Sequence, residues 1–354
     1  MRSGDRRDAH LVNIGECKRK GSLRMNLGRQ SQDRLLSGTP RILVCIVNWN
    51  GRSHLEYSLP SLMGTEYPSL GILLIDNAST DGSADYVRKH FRQIRIVENA
   101  RNLMWAGGNN VGIRIAMEEG ADWVLLMNND VLVDPRWAEM GKRVAQSDPK
   151  IGVIGYNVIG EPIRTDVNEW HRACAAFSAL TFKDDSSISG SFMMIRTDVL
   201  RAVGLLDEVY GLYGEENDFV ARVMKAGIRV VRCNLPIWHH LEGTSIGVPL
   251  FSAYMSTRNE LRLYVKQHHL SVVGMLRWLL GRMVVACDVR RRVDVDNTYI
   301  RRMHPTKNVL LNASLVLRAF WWNIMHLHET RSAGLRDEQR CAAFRRQSQE
   351  QNDA

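Results

Sequence analysis

Ile75-Asp76-Asn77-Ala78-Ser79-Thr80-Asp81-Gly82-Ser83 closes an apolar run, Ile72-Leu73-Leu74-Ile75, with an acid followed by a dense turn signal. A run without alternating polar residues suits a strand buried on both faces, the pattern of a parallel sheet. Ligands of open α/β sheets bind beyond the carboxyl ends of such strands, which places Asp76 where a substrate would sit. Asp81 and Ser83 read as turn and cap residues for a helix beginning near Ala84. An acid on the strand tip itself is poorly placed for capping, so Asp76 is the candidate ligand.

The same grammar repeats on both sides. Pro40 introduces Arg41-Ile42-Leu43-Val44-Cys45-Ile46-Val47, a buried strand ending in Asn48-Trp49-Asn50-Gly51. A helical segment from His54 to Met63 leads to the Asp76 strand, and Ile94–Val97 and Trp123–Met127 supply two more strands. Gly107-Gly108 precedes a helix expected from Asn109 to Met117. Strands alternating with helices predict a mostly parallel, Rossmann-like, doubly wound sheet flanked by helices. Beyond Ile151–Gly155 the pattern weakens until Gly190–Ile195. A helix from Glu216 to Lys225 and a strand at Val230–Cys233 follow.

Residues 1–39 are basic and aperiodic, the composition of a disordered tail. The catalytic domain is expected over residues 40–250, a C-terminal helical region over 251–335 and a polar solvated tail over 336–354. The chain has 354 residues and a formal net charge of +9, which favours an anionic partner. Its basic residues gather in the tail and the C-terminal helices without a recognition module, which ranks nucleic acid low. Six scattered cysteines without a CxxC pair show neither a zinc site nor a disulfide framework, and point to a reducing compartment. No apolar signal core and no span of about twenty apolar residues is present, so a cytoplasmic protein is expected. Met275–Val285 and Leu310–Leu327 are amphipathic and rich in Arg, Trp and Leu. Packing on the core and peripheral contact with anionic lipid at the inner membrane face both suit them.

Four strand ends collect the polar side chains. Asn48 and Asn50 close the first, Asp76 and Asn77 the second, Asn102 with Gly107 and Asn109 follows the third, and Asn128-Asn129-Asp130 closes the fourth. Such a rim can grip a nucleotide, with Asp76 accepting from base or ribose groups and backbone approaching where glycine allows. The Gly107–Gly112 segment lacks GxGxxG spacing and is no dinucleotide fingerprint. Asp130, with Asn128 nearby, suits a divalent cation that neutralises a departing diphosphate, although such a triplet also makes Asx turns.

Taken in order, these motifs resemble a family 2 glycosyltransferase of the rhamnosyltransferase-like, cell-surface-glycan type, with the A-type glycosyltransferase fold. The resemblance covers roughly Arg41 to His268. The Asn48–Gly51 tip, the Ile75–Ser83 turn, and Asn128-Asn129-Asp130 at the DxD-like metal position carry it. So do Gly190–Ile195, Gly204–Glu208 continuing into Tyr213-Gly214-Glu215-Glu216-Asn217-Asp218-Phe219, then His240 with Gly243 and Ser245, and Arg258-Asn259. It implies an inverting transfer of one sugar from a nucleotide-diphospho sugar to a hydroxyl of a glycan acceptor, expected to be lipid-linked. Glu216 takes the place of the base that removes the acceptor proton, one methylene longer than the aspartate of many relatives; Glu215 and Asp218 are its reserves, and Arg258 supports. His240 would join Asp130 around Mn²⁺ or Mg²⁺, with His239 as the rival ligand. Acids at a helix start also serve as caps, the plainer reading of Glu215–Asp218.

No QxxRW segment accompanies these motifs, which argues against a processive synthase. A sugar-phosphate nucleotidyltransferase also binds nucleotides on a parallel sheet, but it opens with a glycine-rich basic loop where this chain has Asn48-Trp49-Asn50-Gly51-Arg52-Ser53. A non-catalytic nucleotide-sugar-binding protein of the same fold is the third reading, and the intact acid set argues against it.

Overall fold

The computed structural model describes residues 38–159, 167–239, 249–287 and 308–352. The first half of the chain alternates strictly: β1 (Ile42–Asn48), α1 (Arg52–Met63), β2 (Leu70–Asp76), α2 (Ser83–His90), β3 (Arg95–Glu98), α3 (Met104–Glu118) and β4 (Trp123–Asn128). A two-residue β5 (Val131–Leu132), α4 (Trp137–Ser147), β6 (Ile151–Ile159), α5 (Val167–Ala176), β7 (Phe182–Asp184), β8 (Phe192–Arg196), α6 (Thr197–Val203), α7 (Glu215–Lys225) and β9 (Arg229–His239) follow. Four helices close the chain: α8 (Pro249–His268), α9 (Val272–Cys287), α10 (Val309–Met325) and α11 (Leu327–Asn352).

The described strands form one nine-stranded sheet in the order β3-β2-β1-β4-β8-β6-β9-β5, with β7 paired to β9. The β3-β2-β1-β4 half is parallel, as the unbroken apolar runs predict. The other half is mixed, because β8 enters antiparallel between β4 and β6. Side chains of β1 alternate between two cores, which explains why its apolar run has no polar interruption. Ile42, Val44 and Ile46 pack with Leu55, Leu59 and Trp137, whereas Leu43 and Cys45 pack with Ala106, Ile113 and Ala116. Strand order runs outward from β1 to β3 and then returns to β4 on the far side of β1. That reversal opens a crevice at the carboxyl ends of β1 and β4, the position where such sheets bind ligands.

Helix α3 begins five residues before the expected Asn109, so Gly107 and Gly108 lie inside it. Packing explains both the start and the glycines. A Cβ at Gly108 would sit 2.9 Å from Val47 Cγ1, and one at Gly112 would sit 2.7 Å from Cys45 Sγ. Bare backbone lets α3 press onto β1.

The C-terminal helices are tied to the catalytic half by buried charge. Lys266 Nζ of α8 lies 2.9 Å from carboxylate oxygens of Asp207, Asp218 and Asp337. Arg222 Nε meets Asp218 at 3.0 Å, and Arg262 meets Asp207 at 2.9 Å. Three cations thus balance three carboxylates drawn from α7, α8, α11 and the loop before α7. Residues 336–352, expected as a solvated tail, are instead the end of α11. One stripe of that helix, Asp337, Cys341 and Phe344, turns inward, and Cys341 Sγ lies 3.3 Å from the Arg222 carbonyl. The other faces remain polar, which hid the helix in the sequence.

Burial pushes the Asp207 and Asp218 carboxyls up, but Lys266 and Arg262 at the first, and Arg222 and Lys266 at the second, hold both below the ordinary aspartate value of 3.8. A depressed folded-state pKa stabilises the protein above the unfolded value and is lost as pH falls through the folded one. Lys266→Ala should therefore cost about 3–5 kcal/mol at pH 7, because it leaves buried carboxylates uncompensated. Urea unfolding should also show a shallower loss of stability below pH 3.8 in the variant than in the wild type; equal acid slopes would refute the assignment.

Candidate active site

The crevice is a cleft of about 860 Å³. Asn77, Asn102, Asn128, Asp130, Glu215 and Glu216 are among its lining residues, so strand tips and the α7 start face one space.

Register sets the floor. Asn48 pairs with Asp76 across β1 and β2, and Val47 pairs with Asn128 across β1 and β4. Asn48 is fully buried; its Nδ2 donates to Asp76 Oδ1 at 3.1 Å and to Ser79 Oγ at 3.2 Å, while its Oδ1 accepts from Asn129 Nδ2 at 2.8 Å. Asp76, also buried, accepts from the Ser79 amide at 2.9 Å. Asn50 Oδ1 accepts from the Thr80 amide at 2.8 Å. Asn48 and Asp76 thus hold the strand tips together beneath the cleft, the exposed Asn50 ties the end of β1 to the turn after β2, and none of the three lines the cleft. Asp81 accepts from the Arg52 amide at 2.8 Å and the Ser83 amide at 3.0 Å, joining the starts of α1 and α2. Burial would raise its carboxyl, but hydrogen bonds from Ser83 and Arg52 hold it below the usual range.

The α3 residues divide. Asn102 is exposed at the rim and accepts from the Met104 amide at 2.7 Å. Gly107 and Asn109 do not line the cleft: a Cβ on Gly107 would lie 2.9 Å from Leu103 Cβ, and Asn109 is buried with Nδ2 donating to the Trp105 carbonyl at 3.0 Å. Both serve helix packing.

Asp130 meets His239. The two-residue β5 pairs antiparallel with β9, setting Val131 opposite His239. His239 Nε2 then lies 3.1 Å from Asp130 Oδ1 and 3.4 Å from Asn128 Nδ2. His240 lies outside the described residues. His239 Nδ1 is buried without a hydrogen-bond partner among them. A carboxylate oxygen and an imidazole nitrogen converging on one wall of the cleft are donors that a divalent cation such as Mn²⁺ accepts. Among the described residues no third histidine, cysteine or acid joins the pair.

Trp105, which the sequence reading overlooked, connects this corner to α7. Its Nε1 donates to Asn128 Oδ1 at 2.9 Å. A Cβ on Gly190 would lie 3.0 Å from the Trp105 ring and 3.5 Å from Glu216 Cβ. The indole therefore spans from Asn128 to the glycine that abuts Glu216. An indole just before a glycine pair was the available signal.

Helix α7 begins after Gly214, whose φ of 92° favours glycine, and Tyr213 before it is also left-handed at 68°. Asn259 Nδ2 lies within 2.7–2.9 Å of the carbonyls of Tyr210, Leu212 and Tyr213. Arg258 donates to the Val209 and Tyr210 carbonyls at 2.8 Å and stacks on Trp322. Arg258 thus clamps the loop leading to the acids from outside the cleft. Glu216 Oε2 accepts from the Gly214 amide at 3.2 Å. Asp218 belongs to the buried charge network behind the cleft. Glu215 is 3% exposed and its Oε2 is buried without a hydrogen-bond partner. Burial first, and the neighbouring Glu216 charge second, raise the Glu215 carboxyl well above its ordinary value.

Residues 43–204 match the family model Glycosyl transferase family 2. The chain carries a family 2 glycosyltransferase domain. The N-acetylglucosaminyl-diphospho-decaprenol L-rhamnosyltransferase of Mycobacterium tuberculosis is 27% identical over 232 residues, 56% of this chain and 75% of the relative. The low-salt glycan biosynthesis hexosyltransferase Agl10 of Haloferax volcanii is 23% identical over 204 residues, 54% of this chain and 64% of that protein. The crystal structure of GalNAc-T7 with UDP, GalNAc and Mn²⁺ superposes with a TM-score of 0.52 at 14% identity, over 81% of this chain and 58% of that one. The transferase has the A-type fold that its strand order describes.

Burial favours the protonated form of the Glu215 carboxyl, the form that an amide imitates. A raised folded-state pKa gives stability that is complete below the unfolded value near 4.5 and is lost as pH climbs through the folded one. Glu215→Gln should keep the transferase folded and flatten its loss of stability above pH 4.5. A pH series of urea midpoints checks this, and a wild-type-like slope in the variant would show that Glu215 is ionised.

Proposed function

We propose that the transferase moves one sugar from a nucleotide-diphospho sugar to a hydroxyl of a lipid-linked glycan, with inversion, from the cytoplasmic face of a membrane. The observation that carries this reading is the contact path Asp130–His239–Asn128–Trp105–Gly190–Glu216 across a single cleft at the switch point. It sets a cation-type donor pair and a carboxylate at two ends of one space. The name of the mycobacterial relative, which specifies a diphospho-decaprenol acceptor, supports the choice of acceptor.

Asp130 and His239 would hold the divalent cation, Mn²⁺ or Mg²⁺. When bound, the cation supplies positive charge that neutralises the leaving diphosphate. Asn102 offers its amide to the donor at the adjoining rim, while the buried Asn77, donating to the Met104 carbonyl and accepting from Asn99 Nδ2, holds that wall in place. Glu216 accepts the acceptor proton as the hydroxyl oxygen forms its bond to the anomeric carbon. The bond from that carbon to the diphosphate oxygen breaks, and the nucleoside diphosphate leaves on the opposite face. Base catalysis requires the carboxylate within hydrogen-bond reach of the hydroxyl, and Glu216 at the first turn of α7 faces the cleft where an acceptor can approach.

Glu216→Gln should lower turnover by at least about a hundredfold, the scale of general-base catalysis. Donor affinity measured by calorimetry with Mn²⁺ should stay within about threefold, and parallel loss of both would refute the base role. Asp130→Ala should weaken donor binding only when Mn²⁺ is present, and an unchanged Mn²⁺-dependent donor Kd would remove Asp130 from the cation site.

A further inference from the structure

Among the described residues, helices α9 and α10 pack on one side only. Leu261 and Val265 of α8 form a small core with Met275, Trp278, Phe320 and Ile324. On their outer sides Val273, Leu276, Leu280 and Val284 of α9, and Leu317 and Trp321 of α10, are 48–70% exposed. Spacings of three, four and four residues on α9, and four on α10, keep each set on one helical face. Single exposed apolar residues need no explanation, but a run of large ones along two adjacent helices marks an interaction surface.

Charge selects the partner. Across Val272–Cys287 and Val309–Met325 there are three arginines, Arg277, Arg282 and Arg318, and no acid. Arg277 and Arg318 are exposed. Two copies of this face would oppose like charges, whereas anionic headgroups would meet them. No described helix is long and apolar enough to cross a membrane, and 16- and 17-residue helices fall short of a bilayer core. Arginine beside exposed Trp and Leu on such helices suits an in-plane position at the interface.

Position ties this face to the cleft. Arg318 stacks on Tyr254, Trp322 on Arg258, and Asn323 Nδ2 donates to the Arg258 carbonyl at 2.9 Å, so α10 runs alongside α8 in the same direction. The three-residue link after α8 makes α9 fold back along it, and Arg282 pairs with Glu260. The end of α9 and the start of α10 therefore return to the first turn of α8, where Phe251 and Ser252 line the cleft.

We propose that the outer faces of α9 and α10 dock on an anionic bilayer, bringing the Phe251 side of the cleft to the lipid surface. The proposal rests on the transferase reading for its meaning, since this edge is then where a lipid-linked acceptor enters. Binding itself does not depend on turnover.

The test is flotation of the full chain with vesicles of phosphatidylglycerol and phosphatidylcholine, or of phosphatidylcholine alone. Expected is at least tenfold stronger binding to anionic vesicles, reduced by high salt. The combined variant Leu280→Glu, Val284→Glu and Trp321→Glu should lose that binding tenfold or more while keeping its circular dichroism and its turnover of a short water-soluble acceptor. Arg277→Glu alone, at an exposed position, should weaken anionic binding several-fold. Absence of vesicle binding by the wild type, or a solution dimer that the triple variant dissociates, would overturn the proposal. Vesicle binding without turnover of any nucleotide sugar would leave the surface standing and reject the transferase reading instead.

Discussion

The buried amide of Asn48 is the joint on which the site depends. Its three hydrogen bonds reach Asp76 and Ser79 on one side and Asn129 on the other. It therefore couples the tips of β2 and β4 across β1 at the point where strand order reverses. Of its three partners Asp76 and Asn129 are themselves buried, and a buried donor or acceptor left unmade costs about 1–3 kcal/mol. The constraint extends to Gly51, where a Cβ would lie 2.0 Å from Asn129 Nδ2 and 2.6 Å from Asn48 Oδ1. A motif that reads as ligand-binding in sequence is, at Asn48 and Asn50, the frame that fixes where Asn77, Asn128 and Asp130 emerge.

Three acids within four residues of α7 show how environment separates roles. Asp218 has Arg222 and Lys266 within 3.0 Å and is held charged. Among the described residues Glu215 has no such cation against it, and burial first and its neighbour second raise its carboxyl. Glu216 reaches the cleft with the Gly214 amide against its carboxylate. Acids at a helix start are favoured by the unpaired amides there. That general effect cannot distinguish them; their separate surroundings do.

The parallel half of the fold was legible because double burial leaves a signature in composition: Ile42–Ile46 and Leu73–Ile75 have no polar face to show. The mixed half was less so. Whether β8 pairs antiparallel to β4 is decided by long-range packing, and Phe192–Arg196 reads the same in either direction. Of the cleft-lining residues, Asp130 was marked by its strand-end turn and Glu216 by the motif resemblance, since its helix-start context alone reads as a cap. His239 beside Asp130 depends on a two-residue strand, β5, too short to leave periodicity. Trp105 was hidden by the expectation that the glycine pair precedes the helix; here Gly107 and Gly108 sit within it because β1 needs the space.

The C-terminal helices carry two duties that compete for the same residues. Their inner sides hold Lys266, Arg262 and Asp337 against α7 and the preceding loop; their outer sides remain apolar and basic. Deleting the chain beyond about residue 270 would remove Asp337 and Cys341 from the Asp218–Arg222 pair as well as the exposed faces of α9 and α10. Loss of vesicle binding in such a truncation could then follow from disordering α7 and not from losing a lipid contact. Substitutions confined to the outer faces separate the two duties, since exposed apolar side chains make few internal contacts. The charge network also explains why Glu216 can sit on a helix start near solvent and still be positioned. Asp218, two residues beyond Glu216, is anchored from three directions, so the first turn of α7 has little freedom to move.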